Sequence, residues 1–203
     1  MRIILACECS GIMREEFKKR GHDAHSCDLK PSEIPGKHIQ DNILKHLNEN
    51  WDMMIGFPPC TFLTYAATSS WNNEGRARER LKALKFFLDL WEAPIEKICL
   101  ENPLGCIEPV IIKYDQIIHP YYFGDHEMKR TCLWLKNLPP LKYVSQDNLF
   151  EKGTFTDKPD YIYQDKSGKK RYYTDAISGM NNGAEKRARS FPGIARAMAE
   201  QWG

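Results

Sequence analysis

The stretch from which the chain is best understood is Asp52-Met-Met-Ile-Gly-Phe-Pro-Pro-Cys-Thr61. Its apolar run predicts a short buried strand that closes at Gly56. Pro58 and Pro59 fix two successive φ angles and cannot extend a sheet or a helix, so the chain must leave the strand there. Cys60 is therefore expected on a stiff loop past the carboxyl end of the strand, the edge of an open α/β sheet where ligands bind. A cysteine so placed is either a nucleophile or a small apolar side chain packed in a loop.

The composition is that of one globular domain with at most a small appendage. The 203 residues are 42% hydrophobic and 28% charged, and the formal net charge is only +2, so bulk charge requires no nucleic-acid partner. No run of about 18 apolar residues predicts a membrane span, and the chain begins in a strand without a signal-peptide pattern. The seven cysteines are an odd number and lie mostly in apolar runs, which favours reduced thiols in a cytoplasmic protein.

A zinc site is the alternative use of some of these cysteines. Its candidate ligands are Cys7, Cys9, His22, His25 and Cys27. Their spacings, Cys-x-Cys and His-x-Cys, differ from the usual patterns of structural zinc sites. We therefore expect no metal.

The first 28 residues predict a βαβ unit that binds a mononucleotide. A buried strand covers Arg2–Cys7, apolar residues follow at helical spacing from Ile12 to Phe17, and a second strand ends in Asp28. In such units the helix N-terminus receives an anionic group and the acid hydrogen-bonds the ribose hydroxyls. The turn between strand and helix holds one glycine, Gly11, where dinucleotide-binding turns have three.

Strands and helices continue to alternate along the chain. A third strand is predicted from His38 to Asp41, further strands at 97–100 and 131–135, and an amphipathic helix from Arg76 to Trp91. A last amphipathic helix directs three apolar side chains inward: Ile194, Met198 and Trp202.

The strand at 97–100 stops at Glu101-Asn102-Pro103, the second strand end that carries an ionisable group next to a proline. Glu101 is either an exposed loop acid, the commonest fate of glutamate, or a functional group at the same sheet edge as Cys60. The second interpretation is favoured because both residues directly follow buried strands.

The chain changes character between residues 143 and 185. Residues 158–173 alternate aromatic and cationic side chains around the turn Asp165-Lys-Ser-Gly168, which predicts a β-hairpin. Its charged face is either merely solvated or a patch for phosphate and base contacts. The predicted division is a core at 1–142, a hairpin and loop insertion at 143–185, and a C-terminal helix at 186–203 that returns to the core.

The order of these features resembles the S-adenosylmethionine-dependent DNA cytosine-C5 methyltransferases, most of all their short phage- or prophage-type members. The resemblance covers roughly residues 2–136 and 186–202, and its most specific parts are Pro58-Pro59-Cys60 and Glu101-Asn102-Pro103. It implies an α/β fold with a Rossmann-like methyltransferase sheet and helices on both faces. A small β-hairpin appendage stands where the family usually has a sizeable target-recognition domain.

The resemblance implies a covalent mechanism. Cys60 would add to C6 of cytosine and so make C5 nucleophilic enough to attack an electrophilic methyl group. Glu101 would hold a proton at N3, and Asn102 would hold the loop geometry. The family's Gln-x-Arg-x-Arg motif falls on Glu127-x-Lys129-x-Thr131, so Lys129 replaces the first arginine. Arg130, one residue out of register, is the substitute for the second.

The methyl donor implied is S-adenosylmethionine or a related sulfonium compound. The turn Cys9-Ser10-Gly11 would face its methionine end, Asp28 would bind the ribose hydroxyls and Asp41 the adenine. Phe57 and Pro58 would contact the donor beside the nucleophile loop. On the substrate side we expect Pro59, Arg130, Lys169, Lys170 and Arg171.

Three functions stay open on the sequence. The first is methylation of cytosine in duplex or single-stranded DNA, and the second is alkylation of a free cytidine nucleotide such as dCMP, since the insertion is small. The third is a degenerate homologue that binds nucleic acid without catalysis, which the altered motifs of the opening turn and of residues 127–131 favour. The presence of both Cys60 and Glu101 favours an enzyme.

Overall fold

The computed structural model describes residues 1–145, 152–166, 168–172 and 190–203. The strands of its main sheet, in chain order, are β1 (Arg2–Ala6), β2 (Asp23–Asp28), β3 (His38–Gln40), β4 (Met53–Gly56), β5 (Lys97–Asn102), β6 (Gln116–Ile118) and β7 (Thr131–Lys136). Among the described residues they form one seven-stranded sheet in the order β3-β2-β1-β4-β5-β7-β6.

The sheet is parallel except at one strand. β1 to β5 pair in parallel, whereas β7 runs antiparallel to both β5 and β6. The order 3-2-1-4-5 places the crevice for ligands at the carboxyl edge of β1 and β4, where the strand order reverses. The predicted α/β, Rossmann-like class is confirmed.

Helices cover both faces of the sheet, as predicted. They are α1 (Ile12–Lys19), α2 (Arg76–Trp91), α3 (Ile107–Val110) and α4 (Pro192–Trp202), with 3-10 turns at Ile43–Lys45, Tyr65–Ser70 and Pro120–Phe123. On one face Phe87 and Leu90 of α2 pack in the same cluster as Ile4. On the other face Phe17 of α1 joins the cluster that holds Leu5 and α4. Successive side chains of β1 thus enter opposite layers, as the two-residue period of a strand requires.

The C-terminal helix α4 is part of the core. Its Ile194, Met198 and Trp202 are buried, which confirms the prediction that they pack inward. Pro192 supplies the first turn, where its missing N–H costs no hydrogen bond. The carboxylate of Asp125 accepts the N–H of Gly193 at 2.8 Å. This contact fixes the helix start against the segment that follows β6.

One strand is longer than predicted and another was missed. β5 runs on to Asn102 because the antiparallel neighbour β7 continues the pairing, with Glu101 opposite Leu133 and Asn102 opposite Cys132. The expectation that Glu101 lies beyond the strand is therefore wrong. β6 has three residues, too few to give a periodic signal in the sequence.

The predicted β-hairpin is confirmed. β8 (Tyr163–Gln164) and β9 (Lys170–Arg171) form a separate two-stranded antiparallel sheet. The segment leading to it is tied to the core, since Thr156 donates its N–H to the Tyr121 carbonyl at 2.9 Å. Much of the predicted insertion, 146–151 and 173–185, lies outside the described residues. The boundaries at 142 and 185 stay a prediction.

None of the helices in the described ranges is long and apolar enough to cross a membrane.

Candidate active site

The loop after β4 begins at a point of close contact between β4 and β5. A Cβ on Gly56 would lie 2.7 Å from the Leu100 side chain of β5, so glycine keeps the two strands in contact. Phe57 still donates its N–H to the Ala6 carbonyl at 2.9 Å, and the prolines follow. The carbonyl of Cys60 then accepts two backbone N–H groups at 2.9 and 3.0 Å, which turns the chain. Cys60 is partly buried on this turn.

Asn102 ties the loop that carries Cys60 to the neighbouring strand. Its side chain is fully buried, and its amide Nδ2 donates to the Pro58 carbonyl at 2.7 Å. Its other side-chain atom, Oδ1, is buried without a hydrogen-bond partner among the described residues. Asn102 therefore connects the two strand ends that the sequence marks.

The backbone joins the same two loops a second time. Thr64 and Gly105 form an isolated antiparallel bridge, and Cys106 donates its N–H to the Leu63 carbonyl at 2.9 Å. A Cβ on Gly105 would collide with the carbonyl oxygen of Leu63. The loops after β4 and β5 are thus one unit held by main-chain contacts.

Glu101 faces a small pocket on the side of the sheet that α4 covers. Its carboxylate Oε1 lies 3.4 Å from Nζ of Lys129, and both side chains are largely buried. The Phe191 ring at the start of α4 lies 5.6 Å from the same Nζ. The pocket is lined by Met13, Phe57, Glu101, Lys129, Thr131, Leu133, Ser190, Phe191, Ile194 and Met198.

Three sequence-predicted residues therefore meet in one place: Phe57, Glu101 and Lys129. Cys60 does not line this pocket, although Asn102 connects its loop to the strand of Glu101. The sequence did not predict that α4 and the residues before it line the pocket. The start of an amphipathic helix has no local sequence feature that indicates a role in a pocket.

His119 contacts the backbone of Lys129. The ring is buried, it hydrogen-bonds the Lys129 backbone, and its Nδ1 has no partner among the described residues. Burial, together with the nearby charges of Arg130 and Lys158, lowers the pKa of His119. His119 is therefore neutral near pH 7. Arg130 itself is exposed beside it.

The turn after β1 is built around a buried acid. Glu8 is 3% exposed, and its Oε1 accepts the N–H of Gly11 at 2.8 Å and the hydroxyl of Ser10. Its Oε2 is buried without a partner in the described part of the chain. Burial raises the pKa of Glu8. Gly11, with φ of +75°, opens α1.

Glu8 is a second residue that sequence reasoning missed. A glutamate stands directly after a buried strand, between two cysteines and in the turn that should be rich in glycine. This position in the sequence could have indicated that Glu8 is special, because an acid in that turn must either be buried with hydrogen-bond partners or occupy space where a ligand would bind.

Cys9 and Asp28 lie close together at the same edge. Burial, then the charge of Asp28, raises the pKa of the Cys9 thiol. Asp28 ends β2, and its carboxylate accepts the N–H of Lys30 at 2.9 Å. The carbonyl of Cys9 accepts the N–H of Glu33 at 2.8 Å, so the loop after β2 folds back over the turn.

A buried arginine fixes that loop. Arg14 of α1 is 1% exposed and donates to the hydroxyls of Ser26 and Ser32 at 2.8 and 3.1 Å. It also donates to the Ile34 carbonyl at 2.6 Å. A Cβ on Gly36 would lie 2.7 Å from the guanidinium, so the loop passes directly over it.

Asp41 follows β3, as predicted, but its carboxylate is already engaged. It accepts hydrogen bonds from Lys45 at 2.8 Å and from the N–H of Asn42 at 2.7 Å, and His46 lies 3.3 Å away. These contacts lower the pKa of Asp41 to about 2. The adenine contact stays a prediction.

The basic cluster of the hairpin does not act as one unit. Lys169 and Lys170 are exposed, whereas the guanidinium of Arg171 pairs with the Asp165 carboxylate at 2.7 Å. None of the three lines the pocket of Glu101.

All seven cysteines are free thiols. In the ranges that the structure describes, no three or more histidine, cysteine, aspartate and glutamate side chains converge as a metal site would require. The five residues of the zinc alternative belong to those ranges and do not come together.

Neither a protein-family model nor a curated protein sequence matches the chain. Several solved structures are similar to it, among them the following two. One is a protein described as a DNA modification methyltransferase encoded within a prophage of E. coli, with 15% identity, a TM-score of 0.46, and coverage of 89% of this chain and 55% of that one. The other is DNMT2 of Spodoptera frugiperda, with 15% identity, a TM-score of 0.38, and coverage of 88% and 60%. The chain thus spans less than two thirds of the length of either.

Proposed function

We propose that the protein is an S-adenosylmethionine-dependent methyltransferase that modifies C5 of cytosine through a covalent bond between Cys60 and C6. The observation that carries the proposal is the hydrogen bond from Asn102 to the Pro58 carbonyl. It couples the loop of a candidate nucleophile to the strand of a candidate acid. Covalent catalysis of this kind needs a thiolate and a proton donor held in fixed relation.

The residues of the opening turn fit the donor. Asp28 stands at the strand end where a ribose-binding acid belongs, and Gly11 precedes the first residue of α1. The unpartnered buried Oε2 of Glu8 suits a cationic group such as the ammonium of the methionine end. Cys9 and Ser10 are the other residues of the turn that would face the donor. When bound there, S-adenosylmethionine supplies an electrophilic methyl group.

Cys60 opens the reaction. Its thiolate Sγ bonds to C6 of cytosine, and the electron pair of the C5–C6 double bond moves toward N3. Glu101 holds a proton at N3 and so stabilises the charge that develops there. Lys129, 3.4 Å from Glu101, balances the negative charge of that carboxylate during the cycle.

C5, now nucleophilic, would bond to the methyl group that the donor supplies, while the bond from that methyl to the sulfonium sulfur breaks and the donor leaves as a neutral thioether. Loss of the C5 proton to a base then restores the double bond as the Cys60–C6 bond breaks, so the thiolate is regenerated. Phe57, Pro58 and Pro59 form the stiff part of the loop that keeps Sγ beside the ring. Asn102 is a positioning residue, since it acts through Pro58.

The test is transfer of tritium from methyl-labelled S-adenosylmethionine to three substrates: single-stranded DNA, duplex DNA and dCMP. We expect label in 5-methylcytosine for at least one of them and none with Cys60→Ser. Glu101→Gln should lose most of the rate, whereas Glu108→Gln, outside the pocket, should not. Absence of label in all three substrates, or undiminished label with Cys60→Ser, contradicts the proposal.

A further inference from the structure

The hairpin exposes large side chains that a protein normally buries. Tyr161, Ile162 and Tyr163 are 46%, 54% and 48% exposed. A two-stranded hairpin is marginally stable without a layer against it, and contiguous exposed apolar side chains mark interaction sites. We call this feature, residues 158–166 and 168–172, the aromatic hairpin.

Cations are interleaved with these rings. Residues 158–172 carry five lysines and arginines against two aspartates, whereas the whole chain has a net charge of only +2. Nζ of Lys170 lies 4.8 Å from the centre of the Tyr161 ring, and Nζ of Lys158 lies 5.7 Å from that of Tyr172. Because Arg171 is paired with Asp165, the lysines supply the charge for a partner.

This chemistry fits one kind of partner best. Flat exposed rings offer stacking faces to bases, and lysines beside them neutralise phosphates. A duplex hides the faces of its bases. A mononucleotide has only one base and one phosphate, whereas the hairpin has several exposed rings and several lysines. An unpaired strand of nucleic acid meets both demands.

The segment that leads into the aromatic hairpin packs near the pocket of Glu101. Thr156 donates its N–H to the Tyr121 carbonyl at 2.9 Å, and the Tyr121 ring lies 5.6 Å from the ring of His119. His119 hydrogen-bonds the backbone of Lys129, which contacts Glu101. The preceding segment is anchored by Phe155, which stacks on Tyr122 at 4.6 Å. The hairpin thus begins two residues after a contact with the segment that supports the pocket.

We infer that the aromatic hairpin binds an unpaired nucleic-acid strand and presents its cytosines to the pocket of Glu101. The second half of this inference rests on the proposed function. An unpaired base does not have to be flipped out of a duplex, so the enzyme needs little surface beyond one hairpin.

The test is fluorescence anisotropy of a labelled 12-nucleotide DNA strand, with no methyl donor present. We expect it to bind at least tenfold more tightly than the same sequence as a duplex, and dCMP not to compete at equal nucleotide concentration. An RNA strand of that sequence shows whether the 2′-hydroxyl matters, and tight binding of either strand supports the inference.

The variant Tyr161→Ser with Tyr163→Ser should weaken binding of the strand at least tenfold, because two stacking faces are lost. Leu81→Ser, which changes a 68% exposed side chain on α2, is the matched control and should bind as the wild type. Equal melting temperatures of the three proteins establish that each is folded.

Two results overturn the inference: duplex binding as tight as strand binding, or unchanged strand binding in the folded tyrosine variant. Neither depends on catalysis. Strand binding without any methyl transfer would instead contradict the proposed function alone. Methyl transfer to dCMP but not to the bound strand would leave the proposed function standing and refute the presentation of cytosines by the hairpin.

Discussion

The carboxyl edge of the sheet has two halves, and they hold their loops by different means. At β4 and β5 the loops are joined by backbone hydrogen bonds around Gly105 and by one buried amide, Asn102. At β1 and β2 the loop of residues 29–37 makes backbone hydrogen bonds at Glu33 and Lys37, but the buried guanidinium of Arg14 binds residues 32, 34 and 35 of it. One half is therefore fixed chiefly by main-chain contacts, and the other depends to a large extent on one buried cation.

The difference shows where each half is vulnerable. Main-chain contacts survive most side-chain changes but not an added atom at a point of close approach. A loop held largely by one side chain tolerates substitutions along its own length but not substitution of that side chain. The loop of Cys60, the proposed nucleophile, belongs to the first kind of structure, and the proposed donor site belongs to the second.

The largest expected effect is at Arg14. Arg14→Met removes the donors to Ser26, Ser32 and Ile34 and leaves buried acceptors unpaired, which should cost about 4 kcal/mol of unfolding free energy. Urea denaturation measures it, and Lys18→Met, exposed on the same helix, is the control. A loss below about 1 kcal/mol would mean that the backbone hydrogen bonds of Glu33 and Lys37 are enough to hold this half.

Gly105 should come next. Gly105→Ala places a Cβ against the Leu63 carbonyl and should cost about 3 kcal/mol. Gly21→Ala is the control, because its φ is +81° but nothing lies within 4 Å, so only about 1 kcal/mol of backbone strain is expected. Equal losses in the two variants would refute the close approach at Gly105.

Asn102 tests whether the catalytic half depends on its one side chain. Asn102→Ala leaves the buried Pro58 carbonyl unpaired and should cost about 1.5 kcal/mol, while kcat falls about 100-fold through misplacement of Cys60. The KM for the donor should not change. The exposed Asn73→Ala serves as control, and a loss of stability without loss of kcat would remove Asn102 from its positioning role.

The smallest effect is a pH dependence at Glu8. Burial raises the pKa of Glu8 in the folded protein above its ordinary value of 4.5. Between 4.5 and the folded pKa the folded state binds more protons than the unfolded state. The stability of the wild type therefore falls as the pH rises through this window. Glu8→Gln has no titrating group at this position and lacks this pH dependence. As the pH rises through the window, the unfolding free energy of Glu8→Gln should therefore increase relative to that of the wild type, by about 1 kcal/mol or less.

Denaturation midpoints at several pH values measure the Glu8 effect, and the exposed Glu92→Gln should show no such trend. A difference between Glu8→Gln and wild type that does not change with pH would mean that Glu8 has the same protonation state in the folded and unfolded proteins.

Local patterns were enough to predict much of this architecture. The strand before Pro58, the helix α2 and the inward face of α4 each follow from periodicity or from proline chemistry within a few residues. The β1–α1–β2 unit and the hairpin were predicted for the same reason. These elements depend on neighbours in the chain.

The missed features join distant parts of the chain. Lys129 reaches Glu101 only because β7 returns antiparallel to β5, and that pairing also draws Glu101 into the strand. Arg14 fixes a loop 20 residues later, and Phe191 completes a pocket more than 80 residues from Glu101. No spacing rule in the sequence encodes such contacts.

The central claim is that Cys60 bonds covalently to cytosine. The most direct measurement is mass spectrometry after incubating the protein with S-adenosylmethionine and a single-stranded oligonucleotide that contains 5-fluorocytosine. Fluorine at C5 cannot leave as a proton, so elimination stops and the enzyme stays attached. The account predicts a stable adduct on the peptide that contains Cys60. An adduct on another residue, or none while the unmodified oligonucleotide is methylated, would contradict it.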